Sequence, residues 1–372
     1  MKIARVDVFQ RELSYAGGTY TISGKRHYTS FDATFVRITT DCGVTGWGES
    51  TPFGSTYIAE HAGGVRAALQ IVAPSLLGLD PRTPQIINVA MDQVLKGHQG
   101  AKAALDVACW DIFGQYADMP VCALLGGSTG EILPLISSIP SAEPEVMRKS
   151  VAAFREQGYR GHSIKIGHSE AEGGPLLDAE CVRACLSDRL AGEFFLVDAN
   201  GGLSVEHALR FLTLLGPADI VLEAPCATWA ETLRLRPQCR VPILLDELIV
   251  DDADVAMLIR HDAADGVGLK ITKAGGLTAA RRQVDLCRAA GLTLSVQDTV
   301  GSDIAFAAIV HCGQTVPNRL LRCILDTRDM VSITTASVDV ERFDDGVRTG
   351  TAPGLGLTVD EAAMGEPIAS FV

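Results

Sequence analysis

The chain has 372 residues, of which 47% are hydrophobic and 21% charged, a soluble globular balance on a length that exceeds the roughly 250 residues of one (β/α) barrel. A net charge of −13 argues against a nucleic-acid backbone or an anionic membrane surface as partner, and no run approaches the ~18 apolar residues of a membrane span. The opening Met-Lys-Ile-Ala-Arg-Val-Asp is broken by charge before any apolar segment develops, so it is not expected to act as a signal peptide, and the ten cysteines include no Cys-x-x-Cys pair. They read as reduced thiols of a cytoplasmic protein rather than a disulfide or zinc framework.

Residues 1–14 predict a first strand. Residues 33–39 and 44–49 flank Asp41-Cys42-Gly43, a hairpin signal, so the N-terminus predicts a small antiparallel sheet. Between them Tyr15–Gly24, rich in glycine and hydroxyls, reads either as a surface loop or as a mobile lid with Tyr20 facing substrate. From Glu60 to Gly114 the pattern is helical. Asp106 and Asp111 lie in that stretch beside Lys102 and read as solvated or capping acids rather than catalytic ones. Pro120 and Leu124-Leu-Gly-Gly127 then mark a boundary.

After it, short apolar strands alternate with helices. The pattern predicts strands at 133–139, Phe194–Asp198, Ile220–Glu223, Ile243–Asp246, Gly266–Ile271, Thr293–Gln297 and Leu320–Leu325, plus one ending at Lys165. Helices are expected at 143–157 (with Ser141 as N-cap), 175–187, 205–214 and 303–312. Residues 353–372 read as a tail returning to the N-terminal domain.

Five strand ends carry charge. Lys165, Asp198, Glu223, Asp246 and Lys270 follow one another at steps of 33, 25, 23 and 24 residues, the length of a βα unit. In a (β/α) barrel the carboxyl ends of the strands ring one mouth, where such enzymes work. Asp198, Glu223 and Asp246 there suit a hard divalent cation such as Mg²⁺, because three crowded carboxylates repel without one. Asn200 and Glu247 read as supporting groups. Lys165 and Lys270 bracket the acids and would face each other across the mouth. A lysine of lowered pKa can remove a proton α to a carboxylate while a metal holds the enediolate oxygens. Lys273, of opposite strand parity, is expected to point outward into the helix layer. His162, His168 and His311 lack metal-ligand spacing.

The chain resembles the enolase superfamily, in its muconate lactonizing enzyme and dipeptide epimerase subgroup. The resemblance runs from Gly-Trp-Gly-Glu at 46–49 through Ala-Leu-Asp-Val-Ala-Cys-Trp-Asp at 104–111 to Pro-Gly-Leu-Gly-Leu at 353–357. It implies an α/β fold: a modified (β/α)7β TIM-type barrel over 128–349, with an N-terminal α+β capping domain over 1–127 completed by the tail 350–372. It also implies Mg²⁺ on Asp198, Glu223 and Asp246, catalytic Lys165 and Lys270, and a homo-oligomer. The subgroup's Lys-x-Lys stands here as Ser163-Ile-Lys165. Ser163 and Gln297 join Asn200 and Glu247 as residues around the site.

The implied partner is a small molecule. In related epimerases an acid at the end of the eighth strand pairs with the substrate's ammonium, a role that falls on Asp326. Tyr20, Tyr57 and Trp47 offer walls suited to a compact ring or a cation. Among family members, the pattern is similar to those acting on proline derivatives. Dehydration of cis-3-hydroxy-L-proline is the leading expectation, with 2-epimerisation of proline, hydroxyproline or its betaine as the alternative. Sugar-acid chemistry is weakened by Lys270 and by Gln297-Asp298 in place of a His-Asp pair. A non-catalytic binding role fits poorly with three acids and two lysines all present.

Overall fold

A computed structural model describes residues 1–372. The N-terminal part contains β1 (Ile3–Ser14), β2 (Tyr20–Ile22), β3 (Arg26–Tyr28), β4 (Ser30–Thr40) and β5 (Thr45–Ser50). Helices α1 (Ala62–Leu76), α2 (Pro84–Val94), α3 (Gln99–Ala117) and the short α4 (Val121–Leu124) follow. β1, β4 and β5 form an antiparallel sheet whose β4–β5 turn uses Gly43 at φ 85°, where glycine pays no steric cost. The expected loop at 15–24 instead leads into the β2–β3 hairpin, with Tyr20 opposite Tyr28.

Gly46 and Gly48 explain how helix and sheet meet in this cap. A Cβ on Gly48 would stand 1.9 Å from the Ala104 carbonyl oxygen and one on Gly46 2.3 Å from that of Ala108, so α3 lies directly on β5. Helix α3 is consequently buried on most sides, and Asp106 and Asp111 are buried rather than solvated. Asp106 does cap a helix, but one in the other domain.

The barrel runs β6 (Leu133–Ile139), α5 (Pro144–Glu156), β7 (Gly161–Lys165), α6 (Gly174–Leu186), β8 (Phe194–Asp198), α7 (Val205–Leu215), β9 (Val221–Glu223), α8 (Trp229–Leu235) and β10 (Ile243–Leu245). It continues with α9 (Asp252–His261), β11 (Gly266–Lys270), α10 (Ile271–Ala274), α11 (Leu277–Ala290), β12 (Thr293–Gln297), α12 (Asp303–Gly313) and β13 (Leu321–Leu325). All eight strands are parallel, and β13 pairs with β6 to close the ring. Alternate residues face inward: Ile136, Leu196, Val221, Leu244 and Cys323 share one core with the cap's Tyr20, Phe31 and Phe53. Ser141 is not the N-cap of α5. Glu143 holds that position, and the Ser141 hydroxyl bonds His168 Nε2 at 3.1 Å.

Past the barrel come β14 (Ala336–Val338), β15 (Val340–Phe343), β16 (Gly346–Thr349), β17 (Leu357–Val359), α13 (Glu361–Met364) and β18 (Ala369–Phe371). β18 pairs antiparallel with β1, Val6 opposite Phe371, so the chain's end does return to the cap sheet. Buried acids fasten cap to barrel and to the C-terminal tail. Asp106 accepts the Thr278 N–H at 2.9 Å at the start of α11, Asp111 accepts the Leu355 N–H at 2.9 Å, and Glu49 accepts N–H groups at the start of α12.

Candidate active site

Strand register decides which side chains meet. Lys165 is level with Asp198 and Asp198 with Glu223, so the second, third and fourth barrel strands present their charged ends side by side. Leu245 is level with Val267, which places Asp246 below the height of Lys270. Lys165 and Lys270 both line one small cavity between barrel and cap. They come from the second and sixth of eight strands and approach from opposite sides.

The carboxylates are shared out among lysines. Lys165 Nζ donates to Asp198 Oδ2, and Lys270 Nζ stands 2.6 Å from Asp246 Oδ2. Lys273 also binds Asp246, with Nζ 2.8 Å from Oδ1. This corrects the outward placement expected for Lys273: the strand ends at Lys270, residues 271–274 form a helical turn, and strand parity no longer applies. Burial alone would lower both cavity lysines' pKa, but the Asp198 charge for Lys165 and the Asp246 charge for Lys270 outweigh it, and both are held above the ordinary lysine range. Burial tends to raise the Asp246 pKa, yet Lys270 and Lys273 bring it below the ordinary range. Glu223 has no such partner, and burial with the Asp198 and Asp246 charges drives its pKa well up.

With two acids drawn to lysines, the side chains are not gathered round one point, and no group of three or more His, Cys, Asp or Glu forms a metal cage. The donor set nonetheless suits a hard cation. Glu223 Oε1, Glu247 Oε2 and Asn200 Oδ1 are buried oxygens with no hydrogen-bond partner. Asn200, in the left-handed region at φ 46°, donates from Nδ2 to Asp198 Oδ2 at 3.0 Å and to Glu247 Oε1 at 3.1 Å, which orients both acids. Burial and the nearby Asp246 charge push Glu247 up to about 7. Unpartnered carboxylate oxygens whose charges oppose one another are what Mg²⁺ relieves.

Tyr20, Tyr57, Ser163, Asn200 and Gln297 line the cavity, as does Ser138, which the sequence did not single out. The hydroxyls of Tyr20 and Ser138 bond each other, and Tyr57 donates to Asp246 Oδ2 at 2.9 Å while receiving Lys270 Nζ. Arg26 ties the hairpin down, donating to Thr56 O at 2.8 Å and Asn200 O at 3.3 Å. Trp47 lies elsewhere, packed on Phe9 in the cap.

Asp326 does not join the cavity. β13 ends at Leu325, which lines the cavity, and Asp326 follows it outside that lining. Arg328 grips it with two bonds of 2.8 and 2.6 Å, and its Oδ1 also accepts the Arg328 N–H. What sets Asp326 apart is that a guanidinium already meets its charge, the pairing a substrate ammonium would otherwise supply. The acid found in the wall is Asp298, one residue past Gln297. Its only sequence-level signal was its place after a seventh-strand site residue.

Residues 146–363 match the family model described as enolase C-terminal domain-like, and residues 23–126 match the mandelate racemase/muconate lactonizing enzyme N-terminal domain. The chain is 35% identical over 371 residues, the full length of both, to a cis-3-hydroxy-L-proline dehydratase of Roseibium aggregatum. It is 31% identical over 281 residues, 74% of each chain, to a D-Ala-D/L-Ala epimerase of Cytophaga hutchinsonii. Among solved structures, a magnesium-complexed Roseovarius nubinhibens protein described as a mandelate racemase/muconate lactonizing enzyme superposes at TM-score 0.99, with 56% identity and full coverage of both chains.

Proposed function

Because this chain belongs to the mandelate racemase/muconate lactonizing enzyme family of the enolase superfamily, we propose that it removes the α-proton of a proline-type amino acid and expels a β-hydroxyl, dehydrating cis-3-hydroxy-L-proline. The observation that carries this reading is the pair Lys165 and Lys270, both buried and on opposite sides of one small cavity.

The stereochemistry suits two-sided chemistry. In cis-3-hydroxy-L-proline the carboxylate and the hydroxyl share one face of the ring, so the α-hydrogen and the hydroxyl lie on opposite faces. One lysine, as free amine, takes the α-proton; the other, as ammonium, gives a proton to the hydroxyl as the Cβ–O bond breaks. Water leaves, and the resulting enamine tautomerises to a cyclic imine. Mg²⁺ held by Asp198, Glu223 and Asp246 would neutralise charge building on the substrate carboxylate and draw those acids off the lysines, bringing an amine pKa toward neutrality. Tyr20, Tyr57 and the apolar wall of Ile136, Leu325 and Met330 exclude water and fit a compact ring.

The same two lysines support a second reading, 2-epimerisation of proline, hydroxyproline or its betaine, in which the second lysine returns a proton to Cα. The similarity to dipeptide epimerases favours it. Proton NMR in D₂O with Mg²⁺ tests the two together. Cis-3-hydroxy-L-proline losing its ring hydroxyl and forming the cyclic imine supports the dehydratase. Deuterium entering Cα of proline or its betaine as a second stereoisomer accumulates supports the epimerase. No change in any tube removes both.

A further inference from the structure

Only two carboxylates line the cavity, Asp198 and Asp298, and Asp198 is already paired with Lys165. Asp298 is 3% exposed and has no ammonium or guanidinium in contact. It accepts the Thr272 N–H at 3.0 Å and hydroxyl at 2.8 Å on Oδ2, and the Thr299 N–H at 2.7 Å on Oδ1. These bonds fix its direction, fill Oδ2 and leave Oδ1 with acceptor capacity. Burial pushes its carboxyl up to about 6, so it is an anion at neutral pH.

Its place in the ring gives that anion a partner. Counting β6 as the first barrel strand, the lysines stand on the second and sixth, directly across from each other, and the candidate metal ligands on the third, fourth and fifth. A substrate whose α-carbon lies between the lysines, with its carboxylate toward the metal ligands, turns its remaining α-substituents toward the seventh, eighth and first strands. That wall offers Ile136, Ser138, Gln297, Leu325 and Asp298, and Asp298 is its sole charge. We propose that Asp298 is the substrate-binding residue that receives the ring ammonium of the amino acid, the role that Asp326, held by Arg328, does not fill. This deepens the amino-acid reading and rests on it. The ring's β-carbon then falls toward Ser138 and the apolar residues.

The test compares binding of L-proline and of tetrahydrofuran-2-carboxylate, which replaces the ring ammonium by a neutral oxygen, to the Mg²⁺-loaded enzyme by calorimetry. Wild type is expected to favour L-proline by about 30-fold or more, the scale of one desolvated charge pair, and Asp298→Asn to bring that preference within about 3-fold. Asp298→Ala repeats the titration without a misplaced amide donor at Thr272. Wild-type preference that both variants retain overturns the Asp298 assignment and leaves the amino-acid reading standing. Wild type binding neither ligand overturns both. A crystal structure of the wild-type enzyme with L-proline and Mg²⁺ reads the contact without a variant. The ring nitrogen within about 3 Å of the Asp298 carboxylate supports the proposal, and nitrogen directed elsewhere ends it.

Discussion

Glu49, at the end of the cap strand β5, accepts the Ser302 N–H at 2.9 Å and the Ala305 N–H at 3.1 Å, so a carboxylate from one domain caps barrel helix α12 of the other. The Ser302 hydroxyl adds a bond of 2.7 Å and the Thr51 hydroxyl one of 2.6 Å. Removing the acceptor strands buried donors at a helix start. Glu49→Ala is expected to lower unfolding free energy by about 2–4 kcal/mol, measured by urea denaturation.

The same residue gives stability a pH dependence. Burial raises its carboxyl to about 7 from the ordinary 4.5, against the pull of its hydrogen bonds. Between those values the folded chain holds more protons than the unfolded one, so this group's contribution is complete below pH 4.5 and is lost as pH rises through about 7. Denaturation midpoints of wild type and Glu49→Gln at pH 5 and pH 7.5 check the sign: the variant should show the smaller loss on going to the higher pH. An equal loss in both would remove Glu49 from the account.

Lys165 and Lys270 are proposed to be needed on opposite faces of the substrate. Lys165→Ala and Lys270→Ala should each lower turnover of the proline-type substrate by at least about 100-fold. The readout is product formed under saturating substrate, with circular dichroism showing that both variants fold. Near wild-type turnover in either would exclude that lysine.

Metal dependence follows from the acids. EDTA should abolish turnover and added Mg²⁺ restore it. Glu223→Gln, which changes the one candidate ligand without a lysine partner, should raise the Mg²⁺ needed for half-maximal activity by about 10-fold or more. Activity indifferent to EDTA would sink the magnesium reading.

Asp326 separates two kinds of importance. Its bidentate bond to Arg328, which also stacks over Phe306 at 3.8 Å, anchors the turn after β13 outside the cavity. Asp326→Asn should lower the melting temperature by several degrees and leave KM for substrate within about 2-fold. A large rise in KM would return Asp326 to the substrate.

Much of this was decided locally. The βα period and the charged strand ends are written in residue order, because a strand's length and its alternation of faces need no knowledge of the rest of the chain. The ring, the two-sided lysines and the three adjacent acids follow from that period. What residue order did not carry was anything that depends on where a strand stops or on which distant group has taken a partner. Lys273 turned inward because β11 ended three residues earlier, and Asp326 was withdrawn by an arginine two residues away that happens to reach it in this fold. Ser138 joined the wall through contact with Tyr20, and Glu49 and Asp106 became helix caps for another domain. A carboxylate's availability is a property of its neighbours in space, and only the folded chain chooses them.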